Sequence, residues 1–491
     1  FPIRTQGALK EQTNVSTQQQ ATGAPRTPRF YLALAAGKAA ATVLNLARRR
    51  GGQVPGTVAE AICPDFLARV PKPERVVFVT GTNGKTTTSN LLDDILIESG
   101  LDLVTNRAGG NIITGIESSL IKGSTVSGAP RHSVACMELD ELSCRRVLPH
   151  MAPDILLAVN LYRDNFTRNA NPDYIFSVID ASVPASTHLV LNADDLISCR
   201  LAPQAHRRTY FSIDRLPDDL EGPEGIVCDL TACPECGGHL EYDWCHLRHL
   251  GHARCTSCGF TNPEPDYLVT HVDKRALEFT VREVCHARDG EAPEYTYRIG
   301  AYSITNLYNL VAALVTAREL GITAEELQRI LASGKVNVTA ARFSETSVRE
   351  MRLVNSASKG ENSTATSTAL ATICGEPGRK AVVLMLADYY LATNPKKTEY
   401  TGWYYQADFE HLAGEDVRQV VVQGANSDDL LLRLLLAGVD PARIKLAETE
   451  TDAADLIDLE GIDGVFCAYD IFNGEQADRF RDRVAQRIEQ A

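Results

Sequence analysis

The segment VVFVTGTNGKTTT, Val76 to Thr88, constrains the fold of this chain more than any other stretch. It reads as a short buried strand that turns through glycine into a helix starting near Lys85, with Val76 to Val79 as the β-rich run and Leu91, Leu92, Ile95 and Leu96 as the apolar stripe of a helix ending at Gly100. A strand–glycine turn–helix junction aims backbone N–H groups and the positive end of a helix dipole at an anion. Gly81, Thr82, Asn83, Gly84, Lys85, Thr86 and Thr87 are therefore the expected phosphate-binding residues, Lys85 by its ammonium and Thr86 by a hydroxyl able to ligate Mg²⁺. The generic phosphate loop carries a glycine five positions before its Gly-Lys glycine, where this chain has Val79, so the loop is of a particular kind.

A chain of 491 residues exceeds what one hydrophobic core serves, so more than one domain is expected. The net charge of −14 excludes a nucleic-acid binder held by a broad basic face and leaves anionic ligands to local devices such as the loop. Residues 1–29 are rich in Gln, Thr, Ala and Pro, lack the apolar run of a signal peptide and are expected to form a flexible arm. The alanine-rich run Phe30 to Leu46 is broken by Lys38 and falls short of the ~20 residues a bilayer crossing needs. It reads as a packed helix, with membrane-surface contact through Arg48, Arg49 and Arg50 as a second option. The acidity and the absence of a secretory signal suit a cytoplasmic protein, peripheral to the inner face of the membrane under that option.

Four of the thirteen cysteines stand apart. Cys233 and Cys236 form one Cys-x-x-Cys knuckle and Cys255 and Cys258 a second, with eighteen residues between the pairs. That is the spacing of a zinc ribbon, in which each knuckle turns two thiolates toward one tetrahedral ion. Four protein ligands leave no open coordination position, so Zn²⁺ here is expected to fold the insert, not to catalyse. The intervening EYDWCHLRHLGHAR has no basic stripe, which argues against nucleic acid as its partner.

Strand-like runs recur at Leu101 to Thr105, His132 to Leu139, Ile155 to Val159 and His188 to Leu191, with crossover-length segments between them, the signature of a mostly parallel α/β sheet. Polar clusters fall at the carboxyl ends of these runs, where such sheets bind ligands: Glu138 and Asp140, then Asn160, Arg163 and Asp164, then Asn192 and Asp194. An isolated glutamate at a strand end is ordinarily a surface residue; the loop context makes Glu138 a candidate Mg²⁺ ligand. Ser303 to Leu320 reads as a helix with Asn306 and Asn309 near its start. Beyond Arg342 the pattern restarts, with strands at Ala381 to Leu386, Val420 to Val422 and Gly464 to Cys467, a helix at Leu430 to Leu436 and an exposed loop at Thr393 to Thr401. Cys136, Cys144 and Cys467 sit in apolar or helical contexts and read as core residues, so no nucleophilic thiol is evident.

Together these residues resemble the Mur ligase family, whose loop is typically TGTNGKTTT; Thr80 to Thr88 reproduces it unchanged. The four-cysteine insert, NRAGGNIITGI, MELDE, NLYRDNFTR, LNADD and YQADFEHL narrow the resemblance to the family's amidating branch, from about Tyr31 to the C-terminus. The resemblance implies a mostly parallel central ATP-binding domain over 30–345, a zinc ribbon inserted at 228–262 and a smaller Rossmann-like α/β domain over 346–491. It implies that Lys85, Thr86 and Glu138 hold ATP phosphates and Mg²⁺, that Asn306 and Asn309 face the adenine, and that Arg342 lies near the nucleotide. It further implies amidation of the α-carboxyl of D-glutamate in the lipid II stem peptide, with ammonia from a GatD-like glutamine amidotransferase whose triad Asp388 would complete. The chain departs from the family pattern at Asn355 to Ser358, at Ala387 and Asp388, at Thr393 to Thr401 and at Tyr405 and Gln406. A different Mur-type ligase, adding amino acids or folylpolyglutamate, and a nucleotide-binding scaffold without chemistry are the competing readings.

Overall fold

The computed structural model describes residues 24–48, 51–107, 110–164, 171–202, 207–336, 343–358, 361–386 and 400–490. Two sheets organise them. The first is built from β1 (Arg75–Thr80), β2 (Leu103–Thr105), β3 (Val134–Glu138), β4 (Ile155–Ala158), β5 (His188–Asn192) and β6 (Arg208–Ile213). A separate hairpin, β7 (Leu240–Leu247) and β8 (Leu250–Cys255), intervenes before β9 (Tyr267–Asp273), β10 (Glu278–Glu283) and β11 (Glu294–Arg298) complete that sheet in the order β11-β10-β9-β6-β5-β4-β1-β3-β2. It is parallel from β2 to β9 and antiparallel across β9, β10 and β11.

Central strands of a parallel sheet are covered on both faces, and β1 shows why VVFV is continuously apolar. Val76 and Phe78 point into a core shared with Phe30, Phe66, Ile116 and Leu120 of the N-terminal helices and helix Ile113–Lys122. Val77 and Val79 point the other way, onto Leu91, Leu92 and Ile95 of helix Lys85–Glu98 and Leu307, Leu310 and Leu314 of helix Ile304–Glu319. Ser303 caps the latter helix, its hydroxyl accepting from Asn306 N at 3.1 Å, as the expected span of Ser303 to Leu320 requires.

The second sheet runs β12 (Phe343–Val348), β13 (Met351–Ser358), β17 (Gly464–Asp470), β14 (Lys380–Met385), β15 (Val417–Gln423), β16 (Ile444–Ala447) in spatial order, parallel except for the β12–β13 hairpin. Its first strand starts at Phe343, ahead of the expected boundary at 346. The fold class is the one expected, mixed α/β with mostly parallel sheets; the antiparallel edge β9–β11 and the β12–β13 hairpin are additions that the apolar runs did not reveal. β10 carries its signal as alternation instead, with Phe279 and Val281 buried between less buried neighbours, the mark of a strand near an edge.

The N-terminal helix Pro28–Leu46 lies against helix Val54–Ile62, which in turn packs on helix Ile113–Lys122. Phe30 stacks on Phe66 with ring centroids 5.2 Å apart. Gly56 approaches its neighbour closely: its N–H donates to Ser118 Oγ at 2.8 Å, and a Cβ there would stand 2.0 Å from Thr114 O. Gly56→Ala is expected to destabilise the protein by about 1–3 kcal/mol, the cost of forcing packed backbones apart. An unchanged thermal unfolding midpoint would show that the two helices are not in contact.

Candidate functional site

Gly81 to Gly84 link the end of β1 to helix Lys85–Glu98, and the turn is fastened from two sides. From the end of β4, Asn160 O accepts from Thr82 N at 2.9 Å, while the Asn160 amide accepts from Asn83 N and donates to Asn83 O, each at 2.9 Å. Thr82 Oγ1 donates to Tyr162 O and accepts from Tyr162 N, both at 3.0 Å. From the other side comes the buried Asn309, whose Oδ1 accepts from Thr88 Oγ1 at 3.1 Å. Gly81 has φ +131° and Gly84 φ +84°. A Cβ on Gly84 would meet Asn309 Oδ1 at 2.2 Å, so both conformation and space demand glycine there.

This fastening assigns the amides. Those of Thr82 and Asn83 are committed to Asn160, so anion binding falls to the first helical turn, where Lys85, Thr86 and Thr87 precede the first intrahelical acceptor pair, Thr88 N to Gly84 O at 2.8 Å. The two asparagines expected beside the adenine have different hydrogen-bond partners. Asn309 sits beneath the loop, and Asn306 turns its amide to Ala301 O at 3.3 Å.

The Lys85 ammonium is buried and donates to Glu141 Oε1 at 3.0 Å, to Thr82 O at 3.3 Å and to Gly81 O. Burial by itself would lower its pKa, but the negative charges of Glu141, Asp164 and Glu138 outweigh that and hold it above the ordinary lysine value. Lys85 is therefore a permanent cation. Glu141 is a site residue that the sequence reading passed over, although it stands in the same MELDEL run as Glu138.

Thr86 and Glu138 meet directly: Thr86 Oγ1 donates to Glu138 Oε2 at 2.8 Å. The β1–β3 register, Val79 beside Glu138, brings the carboxylate to the loop. Asn111 Nδ2 donates to Glu138 Oε1 at 2.8 Å, and Asn106 holds the Glu138 backbone at both ends, Oδ1 accepting from its N–H at 2.9 Å and Nδ2 donating to its carbonyl at 2.8 Å. Octahedral Mg²⁺ with ~2.1 Å Mg–O bonds places neighbouring ligand oxygens ~3 Å apart. The Thr86–Glu138 pair has that separation with two oxygen donors, so it fits the ion.

At the insert, Cys233 Sγ lies 3.6 Å from Cys258 Sγ and Cys236 Sγ 3.5 Å from Cys255 Sγ, with all four sulfurs within 4.8 Å of one another. A tetrahedral Zn²⁺ with ~2.3 Å Zn–S bonds requires S···S edges of ~3.8 Å. Amides of Glu235, Gly238 and Ser257 donate to Cys233, Cys236 and Cys255 sulfurs at 3.3–3.4 Å, which suits thiolates. The cluster can hold a metal ion. Cys233 and Cys255 are buried in the core of the first sheet, so the knuckles and the hairpin β7–β8 pack as one body with it.

Cys136, Cys144 and Cys467 are fully buried, and burial pushes all three thiols up, which disfavours the thiolate a nucleophile needs. Arg342 and Asp388 lie outside the described residues, as does most of Thr393 to Thr401.

The second sheet reaches this site through Asn362, the N-cap of helix Ser363–Gly375. Its fully buried amide donates to Asn83 Oδ1 at 3.2 Å and to Asp164 Oδ1 at 3.3 Å while its Oδ1 accepts from Ala365 N at 2.8 Å. Arg163, paired with Asp229, also donates to Gln406 Oε1 at 3.1 Å. Asp408 accepts from Ile226 N at 2.7 Å and pairs with Arg248.

Residues 360–467, the segment that contributes Asn362, match the family model described as MurT ligase C-terminal. The chain is 27% identical over 435 residues to the lipid II isoglutaminyl synthase (glutamine-hydrolyzing) subunit MurT of Staphylococcus aureus (strain COL), covering 88% of this chain and 94% of that protein. The chain is similar to MurT proteins over most of its length. The MurT subunit of Streptococcus pneumoniae (strain ATCC BAA-255 / R6) is 28% identical over 464 residues, 93% of this chain and 97% of that one. A pseudomurein peptide ligase type C from Methanothermus fervidus shares the fold, with a TM-score of 0.63 at 20% identity over 86% of this chain and 81% of that one. Both MurT relatives are named as subunits of a synthase.

Cys233→Ser is expected to remove one equivalent of bound metal and to lower the thermal midpoint, because the knuckle is part of the sheet's core. Metal analysis of the purified variant checks this, and an undiminished metal content would refute the four-thiolate site.

Proposed function

We propose that this chain is the ATP-dependent subunit that amidates the α-carboxyl of D-glutamate in the lipid II stem peptide to D-isoglutamine, using ammonia released by a GatD-like glutaminase bound to it. The observation that carries the reading is the meeting of the unaltered TGTNGKTTT loop with a segment matching the MurT C-terminal model, through Asn362 on Asn83. The relatives named as subunits of a glutamine-hydrolysing synthase support the partner, and the burial of Cys136, Cys144 and Cys467 is consistent with ammonia made elsewhere.

A carboxylate resists attack by an amine, whereas an acyl phosphate carries a good leaving group. In the proposed reaction a carboxylate oxygen attacks the γ-phosphorus and ADP leaves; ammonia then attacks the acyl carbon and phosphate leaves, taking that oxygen with it. Lys85 offers a fixed positive charge for the phosphoryl oxygens, and the amides of Lys85, Thr86 and Thr87 add donors at the helix N-terminus. Glu141 and Asp164 hold the ammonium in place, and Asn106 and Asn111 keep Glu138 turned toward Thr86. Mg²⁺ held by Thr86 and Glu138 would neutralise charge on the transferred phosphoryl group. Zn²⁺ at Cys233, Cys236, Cys255 and Cys258 would be structural. Arg342 near the nucleotide and Asp388 in the partner's triad remain parts of the same proposal.

Lys85→Ala is expected to lower lipid II-dependent ATP hydrolysis by roughly 100-fold or more, the loss typical of removing a preorganised electrostatic group, with an unchanged far-UV circular dichroism spectrum. Wild-type protein should amidate lipid II with ammonium salts alone and with glutamine only when the glutaminase is added. ADP formation with a free amino acid as acceptor and none with ammonia would contradict the amidation reading.

A further inference from the structure

Helix Pro28–Leu46 is apolar over most of its surface, yet only one side is covered. Phe30, Ala33, Leu34, Gly37 and Ala41 face the core. On the opposite side Leu32, Val43 and Leu46 are 63%, 64% and 81% exposed, and Tyr31 is 45% exposed. At 100° per residue Leu32, Ala35, Ala39, Val43 and Leu46 fall within one narrow arc, so they form a stripe along the helix. A helix that is apolar all round is normally buried all round.

Charge says what covers the stripe. The whole chain carries −14, but from residue 12 to residue 59 it contains Arg26, Arg29, Lys38, Arg48, Arg49 and Arg50 and no Asp or Glu. Arg26 and Arg48, both exposed, stand at the two ends of the helix. Lys38 faces inward, its ammonium donating to Ile121 O at 2.7 Å and Ser124 O at 2.8 Å, so no charge interrupts the apolar stripe. An apolar stripe flanked by arginines on an otherwise acidic protein is the arrangement that lies flat in the headgroup layer of an anionic bilayer. No described helix is long and apolar enough to cross a membrane, which leaves surface attachment as the mode for this one.

We propose that the outer face of helix Pro28–Leu46 docks on an anionic lipid surface, with Leu32, Val43 and Leu46 in the headgroup–acyl boundary and the flanking arginines on lipid phosphates. The inference goes beyond the amidation reading and does not depend on it, because its readout involves neither substrate nor nucleotide. The test is co-sedimentation of the full chain with phosphatidylcholine vesicles with and without phosphatidylglycerol. The chain is expected to bind the vesicles containing phosphatidylglycerol and to be released by added salt. The exposed double substitution Leu32→Glu/Val43→Glu should weaken binding by roughly tenfold or more, since it loses buried apolar area and adds charge repulsion. The circular dichroism spectrum should be unchanged in that variant. Failure of the wild-type chain to bind these vesicles, or equal binding by the folded variant, would overturn the proposal. So would a fall in sedimentation coefficient of the variant without any lipid binding by the wild type, which would assign the stripe to a second copy of the chain.

Discussion

A buried ammonium among carboxylates is the interaction on which the site depends. Lys85 is taken out of water by the loop that surrounds it, and an unpaired charge in that position would cost several kcal/mol. Glu141 meets it, with Asp164 and Glu138 adding negative potential. These acids come from the ends of β3 and β4, the strands on either side of β1, so the parallel sheet itself collects them at its carboxyl edge. The same edge supplies Asn160 and Tyr162, which fasten the turn. Loop geometry, lysine charge and the Thr86–Glu138 oxygen pair are thus three results of one strand arrangement.

Among the described residues, the second sheet is tied to this arrangement through polar contacts. Asn362 spans Asn83 and Asp164, Arg163 reaches Gln406, and Asp408 binds Arg248 and the amide of Ile226. Hydrogen bonds and ion pairs of this kind are contacts that a ligand-driven movement between domains can rearrange. Asn362 contacts the residue next to Gly84, so a change at the phosphate loop is felt at the N-terminus of helix Ser363–Gly375 without an intermediary.

Much of this was legible in the sequence because it is local. The strand–turn–helix at Val76 to Thr88 and the two Cys-x-x-Cys knuckles each occupy a few consecutive residues, and the structure brings the four sulfurs together and places Glu138 on Thr86. The central strands were visible as continuous apolar runs. Edge strand β11 and its neighbour β10 were not, because a half-covered strand alternates and its charged residues conceal it. Glu141 was hidden by its neighbours: of the acids in MELDEL, periodicity could not say which one turns inward to the lysine. Asn362 was beyond reach altogether, since its contact with Asn83 spans 279 positions and no local pattern encodes it. Asn309 was found by resemblance, and it hydrogen-bonds Thr88 beneath the loop.

The central claim is that Lys85 and its neighbours activate a carboxylate by phosphorylation. Lipid II whose D-glutamate α-carboxyl is labelled with ¹⁸O, incubated with ATP, ammonia and the protein, tests it most directly. The account predicts that one ¹⁸O per amide formed appears in inorganic phosphate, read by ³¹P nuclear magnetic resonance or mass spectrometry, and that Lys85→Ala abolishes the transfer. Amide formation with unlabelled phosphate would contradict it.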